Sequence, residues 1–249
     1  MTMRGYTHDL ADTGCMVPLP VRYTLGLDLG KLADYTALAI AEERPERVVE
    51  HFGQATIDPV WATDPDYTVP WLQRWPLGTP YHAIAVAVGK LVAALVARPA
   101  AAVTLFVDAT GVGAAVIETL AAEPTIAALG SGLAAVTITA GHETTRGYEG
   151  RHRTFHVPKK DLVGAAQMAL QRQKLKVAAE LPEAETLTGE LRTFEVQITQ
   201  SANATYSHRD GAHDDLVLAT ALALWGAPQR PAYVSVWDYR NQRWRVPPR

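Results

Sequence analysis

Hydrophobic and polar positions along this chain follow two different periods. Early on, "RYTLGLDLG" is an apolar run opened by a charge and closed by glycine, the pattern of a buried strand ending in a tight turn. "YTALAIAEE", Tyr35 to Glu43, reads as a second strand after a short loop, and "RVVEHFGQA" as a third. Together they predict an antiparallel meander that starts at Val21, with turns at Gly30 to Asp34 and at "EERPER". "TIDPVWATDPDYTVPWLQRWPLGTP" follows, dense in proline, tryptophan and aspartate, and reads as a long loop of the kind that carries function.

The period then changes. From Tyr81 to Ala97 small and apolar residues recur at helical spacing, and "AAVTLFVDATGVG" gives a buried strand, an acidic end and a glycine-rich turn into a helix from Ala114 to Ala122. "AAVTITAG" is a further strand, followed by the basic loop "RGYEGRHRTFHVPKK" and a helix from about Lys160 to Lys176. "GELRTFEVQIT" and "NATYSH" read as a hairpin, because Phe194, Val196 and Ile198 alternate with polar residues. A last helix begins at Asp214, with Leu218, Leu222 and Trp225 at core-facing spacing, and the tail offers a strand at Tyr233 to Trp237. A meander followed by alternating strands and helices predicts an α/β fold with a mixed sheet, antiparallel then parallel, flanked by helices. The expected organisation is a flexible lead-in over 1–20, one domain over 21–228 and a basic C-terminal tail over 229–249.

Composition narrows the class. At 249 residues and 48% hydrophobic, the chain can bury a large core. The single cysteine, Cys15, excludes an internal disulfide and any zinc site built on several cysteines. The first twenty residues lack a basic segment followed by an apolar one, so no secretory signal is expected. Lys90, Arg98 and Pro99 interrupt the most apolar region, Ala83 to Val107, so no membrane partner is expected either, and the expected location is the cytoplasm. A net charge of −3 confines any nucleic-acid surface to local basic clusters, of which Arg151, Arg153, Lys159 and Lys160 form one.

The chemistry lies in the acidic residues. Asp28 in "LGLDLG", Asp108 in "LFVDATG" and the pair Asp214 and Asp215 each stand at the end of an apolar element. The carboxyl ends of neighbouring buried strands lie side by side, so Asp28 and Asp108 can approach each other, and like charges that close raise one another's pKa unless a cation holds them ionised. An all-carboxylate set suits the hard ions Mg2+ or Mn2+, and two such ions suit phosphodiester hydrolysis. Each aspartate also has a local reading, as a turn residue or a helix N-cap, and capping requires only one of Asp214 and Asp215.

In this order, "GLDLGKLADYTALAI", "FVDATGVG", "VPKKDLVGAAQMAL" and "GAHDDLVLATALALW" resemble the C-terminal nuclease domain of the phage terminase large subunit, over Tyr23 to about Ala227. The resemblance implies a ribonuclease H-like fold and a two-metal endonuclease that cuts concatemeric viral DNA during genome packaging. It implies catalytic carboxylates at Asp28, Asp108, Asp214 and Asp215, with metal on Asp28, Asp108 and one or both of Asp214 and Asp215, of which Asp215 is the expected direct ligand. His213 and Asp34 become supporting positions, Lys159 and Lys160 phosphate contacts. The implied partners are double-stranded DNA, portal protein, small terminase subunit and a separate ATPase domain, in a host-cell cytoplasm. The 249 residues contain no G-x-x-x-x-G-K-[ST] phosphate loop; "AVAVGKLV" has only its Gly-Lys pair. Two other readings share these residues: a non-catalytic DNA-binding or assembly module of the same fold, and an actin-like nucleotide-binding domain, whose first strand "GLDLG" also imitates.

Overall fold

The computed structural model describes residues 7–9, 16–30, 34–51, 56–111, 114–200, 214–230, 236–238 and 243–245. A short antiparallel ribbon, β1 (Thr7–Asp9) with β2 (Met16–Pro18), lies in the lead-in. β3 (Val21–Asp28) and β4 (Thr36–Glu43) form the first antiparallel pair of the main sheet. β5 (Arg47–His51) and β6 (Thr56–Val60) then make a separate ribbon, and β7 (Tyr67–Trp75) returns to the sheet. Helix α1 (Tyr81–Val96), β8 (Ala101–Asp108), α2 (Ala114–Ala122), the short α3 (Pro124–Ala127) and β9 (Leu133–Thr139) follow. The chain continues through the hairpin β10 (Thr145–Glu149) and β11 (His152–Pro158), α4 (Lys159–Gln171), β12 (Leu175–Val177), α5 (Ala184–Gln200) and α6 (Asp215–Gly226). A last ribbon pairs β13 (Val236–Asp238) with β14 (Arg243–Arg245). His213 and "NATYSH" lie outside the described residues.

The main sheet has eight strands in the order β10, β11, β9, β8, β3, β4, β7, β12. β7, β4 and β3 are the antiparallel meander; β3, β8, β9 and β11 run parallel. This is the mixed, helix-flanked sheet expected from the sequence, with the third meander strand supplied by β7 rather than by "RVVEHFGQA". The tryptophan- and proline-rich stretch conceals β7 because Pro70 interrupts its pattern. Ile40 faces Trp71 while Glu42 faces Thr68, so two residues of β7 oppose one of β4 and Pro70 sits in that bulge, where a missing N–H is tolerated.

Three more expectations change. The basic stretch is the hairpin of β10 and β11, turned at Gly150 with φ +57, since Arg153, Phe155 and Val157 alternate inward beneath its charges. The segment from Gly189 to Thr199 is part of helix α5, because Leu187 and Leu191 at four-residue spacing join a longer helical pattern that outweighs a short alternation. Helix α4 ends at Gln171 rather than Lys176. Gln173 adopts φ 55, its N–H donates to Leu170 O at 3.0 Å, and the Lys174 N–H donates to Ala169 O at 2.8 Å, which closes the helix and releases β12.

Both faces of the sheet are covered, so its strands read as continuous apolar runs. Leu25, Leu27, Leu38, Leu105 and Val107 pack under α1 and α2, through Ile84, Val88, Val116 and Leu120. The opposite face carries Gly26, Ala37, Ala39 and Phe106 and receives α6, which is buried along all twelve residues, with α4 and α5 outside it. Contact there is backbone on backbone: a Cβ on Gly26 would stand 2.0 Å from Ala219 O and 2.7 Å from Ala223 N. Among the described residues no helix is long and apolar enough to cross a membrane.

Gly26→Ala therefore forces α6 off the sheet. The expected loss of stability in chemical denaturation is about 1–3 kcal/mol or more, whereas Gly164→Ala in α4, where a Cβ meets nothing within 4 Å, is expected to be neutral or mildly stabilising.

Candidate functional site

Register brings the acidic residues together. Leu27 pairs with Val107 in the parallel ladder of β3 and β8, so Asp28 and Asp108, one step further on, stand on neighbouring strands with backbones about 5 Å apart. On the other side Asp28 pairs with Ala37, and Ala37 with Arg74 of β7. One row across four strands thus reads Asp108, Asp28, Ala37, Arg74, all directed to the face that α6 covers, and Ala37 leaves space between the acidic and the basic side chains. Because Ala219 of α6 lies on Gly26, Asp215, one helical turn earlier, lies level with Asp28, two strand residues later.

Asp28 and Asp108 are each 8% exposed and Asp215 is 5% exposed. Burial raises the Asp28 pKa well above the ordinary carboxylate range, and the charges of Asp108, Asp215, Asp214 and Asp34 raise it further. Asp28, Asp108 and Asp215 therefore share one low-dielectric space. Asp108 also accepts the Thr110 N–H at 2.7 Å, a local turn that orients it. After Asp28 the chain is held by the Gly30 N–H, which donates to Thr36 Oγ1 at 3.1 Å, and by Tyr81 OH, which donates to Gly30 O at 2.9 Å. Asp34 lies beyond that turn, exposed at the same end of the sheet.

Asp214 occupies the N-cap position of α6 yet makes no capping hydrogen bond with its side chain. The cap comes from another helix: Glu190 Oε2 on α5 accepts the N–H groups of Leu216 and Val217 at 3.0 and 3.2 Å. Burial, with a further contribution from the Asp215 charge, pushes the Glu190 carboxyl up to about 7 against those hydrogen bonds and Arg74. Arg74 Nη2 donates to Asp215 Oδ2 at 2.8 Å and lies 3.4 Å from Glu190 Oε1, with its guanidinium 4.1 Å over the Tyr35 ring. Neither residue stood out in the sequence, since Arg74 hides among tryptophans and Glu190 in a segment with strand-like alternation.

The basic candidates divide. Lys159 and Lys160 open α4 directly after β11, whose end is the edge of the parallel sheet that carries Asp28 and Asp108; Lys159 is half-buried and Lys160 exposed. Arg151 stands in the hairpin turn before β11, so it belongs to the opposite edge, away from the carboxylates. Arg153, 7% exposed, is turned inward: its Nε donates to Ser131 O at 2.6 Å, its Nη1 to Gln229 O, and its guanidinium lies 5.2 and 5.4 Å from the Phe106 and Phe155 rings. It is a packing residue of the core rather than a phosphate contact.

The donors are chemically suited to a hard divalent cation, being carboxylate oxygens drawn from two strand ends and a helix start. As the side chains stand, no three His, Cys, Asp or Glu groups among the described residues are arranged to hold a metal ion, and Asp215 is engaged by Arg74.

No protein-family model matches the chain, and no curated protein matches it significantly. Among solved structures it is similar to the large terminase nuclease from thermophilic phage G20c, at 17% identity over 84% of this chain and 86% of that one, with a TM-score of 0.42. It is also similar to the Mn-soaked terminase nuclease domain of human cytomegalovirus, at 15% identity over 91% and 87%, with a TM-score of 0.44.

The raised Asp28 pKa has a sign that can be measured. The folded state binds this proton more tightly than the unfolded chain, so its contribution is present below the ordinary carboxylate pKa and is lost as pH rises through the folded value. In chelator-treated buffer, Asp28→Asn is expected to flatten that decline and to raise the neutral-pH melting temperature, by about 2–4 °C per kcal/mol relieved. An unchanged slope with a lower melting temperature would contradict it.

Proposed function

We propose that this chain is a divalent-cation-dependent endonuclease that hydrolyses phosphodiester bonds of double-stranded DNA on the carboxylates of Asp28, Asp108, Asp214 and Asp215. The support is the placement of three buried carboxylates, Asp28, Asp108 and Asp215, by strand register and the seating of α6, with Asp214 beside them: a water-poor set of like charges is costly in isolation and is relieved by cations. In this reading Asp28 takes the central position, with Asp108 on one side and Asp215 on the other, and Asp214 assists Asp215. Two bound Mg2+ or Mn2+ ions would activate the attacking water and stabilise the leaving oxygen. Lys159 and Lys160, on the same edge, hold the DNA backbone as point charges. The motif resemblance directs the reading to concatemeric viral DNA during packaging in the host-cell cytoplasm, with portal protein, small subunit and ATPase domain as partners.

A second reading has its own observation. Thr110 satisfies Asp108 and Arg74 satisfies Asp215 without any metal, as expected of a non-catalytic module that keeps the fold for assembly or DNA binding.

Cleavage separates the two. Asp28→Asn and Asp108→Asn are each expected to remove several kcal/mol of transition-state stabilisation, a loss of about 10³-fold or more in plasmid nicking with Mn2+ while circular dichroism stays native; near-normal nicking by either variant favours the non-catalytic module. Lys159→Ala and Lys160→Ala are expected to weaken DNA binding regardless of sequence and to lower the slope of log affinity against log salt by about 1 each. An unaltered slope removes these lysines from the DNA path.

A further inference from the structure

Arg74 and Glu190 are built into the site more firmly than a surface ion pair. Arg74 is held from three sides, by Asp215, by Glu190 and by the Tyr35 ring, and its side chain is 15% exposed. Glu190 is 7% exposed at the side chain and spans two tasks, one oxygen capping α6 and the other facing Arg74. A helix start normally draws its cap from its own N-cap residue, here Asp214. Because α5 supplies the cap instead, the Asp214 side chain is not consumed in that role.

We propose that Arg74 is a positioning residue for Asp215, braced by Glu190 and Tyr35, and that Glu190 caps α6 from the neighbouring helix so that the Asp214 side chain is not spent on capping. The inference rests on the nuclease reading of the site. A carboxylate offers two oxygens and about four lone-pair directions. One oxygen can therefore stay with Arg74 while the group serves an ion, and the guanidinium sets the rotamer from which it does so. Release of Arg74 is the costlier alternative, since it would strand a charge among buried groups. Groups that orient a metal ligand in this way typically change metal affinity about 10–100-fold when removed.

The sign of the effect separates this role from its competitors. Mn2+ alone is titrated calorimetrically into the full chain, for wild type, Arg74→Met, Arg74→Lys and the distant surface control Arg172→Ala, with melting temperatures recorded in parallel. Orientation predicts that Arg74→Met weakens Mn2+ binding about 10–100-fold and that Arg74→Lys recovers only part of it, because lysine keeps the charge without the planar fork. Tighter binding by Arg74→Met would show that Arg74 merely competes with the ion for Asp215, and unchanged binding with a lower melting temperature would show a structural strut; either result overturns the proposal. If Arg74→Met does not fold, Glu190→Gln keeps an oxygen for the Leu216 and Val217 N–H groups, drops the charge that braces Arg74 and is expected to weaken Mn2+ in the same direction. Absence of Mn2+ binding by the wild-type chain would instead sink the nuclease reading itself, and this inference with it.

Discussion

The approach of α6 to β3 at Gly26 is the constraint on which the site depends. With no side chain at that position the helix backbone rests directly on the sheet, and the start of the helix is delivered level with the end of β3. Asp28 and Asp215 become neighbours for that reason, although 187 positions separate them in the chain. A larger residue at Gly26 would lift the helix and pull the carboxylates apart without altering any of them.

Both ends of α6 are then pinned by polar groups from elsewhere in the fold. At its start, Glu190 takes the orphan N–H groups of Leu216 and Val217. Beyond its end, Arg153 donates to Gln229 O, and Arg230 lies 2.6 Å from Glu43, which Arg22 also approaches at 3.5 Å. At that end Trp225 packs edge-on against Phe106 and Phe155, which are tilted against each other, with centroids 5.4 to 6.1 Å apart. A helix buried on all sides has few alternatives to slide into, which is what a set of mutually repelling carboxylates requires of its scaffold. Their repulsion is offset locally by Arg74, which pairs with both Asp215 and Glu190.

Much of the fold was legible because its signals were local. Asp28 and Asp108 each close an apolar run before a glycine turn, and the short length of those runs with the flanking glycines favours strands buried on both faces. Asp214 and Asp215 precede ten small or apolar residues, enough for a buried helix. Misreadings arose where two patterns overlapped in one stretch. Tyr67–Trp75 is a strand broken by a bulged proline, Gly189 to Thr199 a helix with a chance alternation, and His152–Pro158 a strand under a basic surface.

What the chain by itself determined is the first two meander strands, the strands at β8 and β9, the helices that begin near Tyr81, Ala114, Lys160 and Asp214, and the carboxylates at their ends, because hydrophobic period and turn chemistry act within a dozen residues. Only the tertiary structure decided the rest. Register set Asp28 beside Asp108, backbone contact at Gly26 set Asp215 beside both, and packing turned Arg153 inward while bringing Arg74 and Glu190 to the acidic cluster. Those last two roles depend on pairing across 116 and 141 positions, a distance over which no local pattern carries information, so burial and charge compensation alone select the partners.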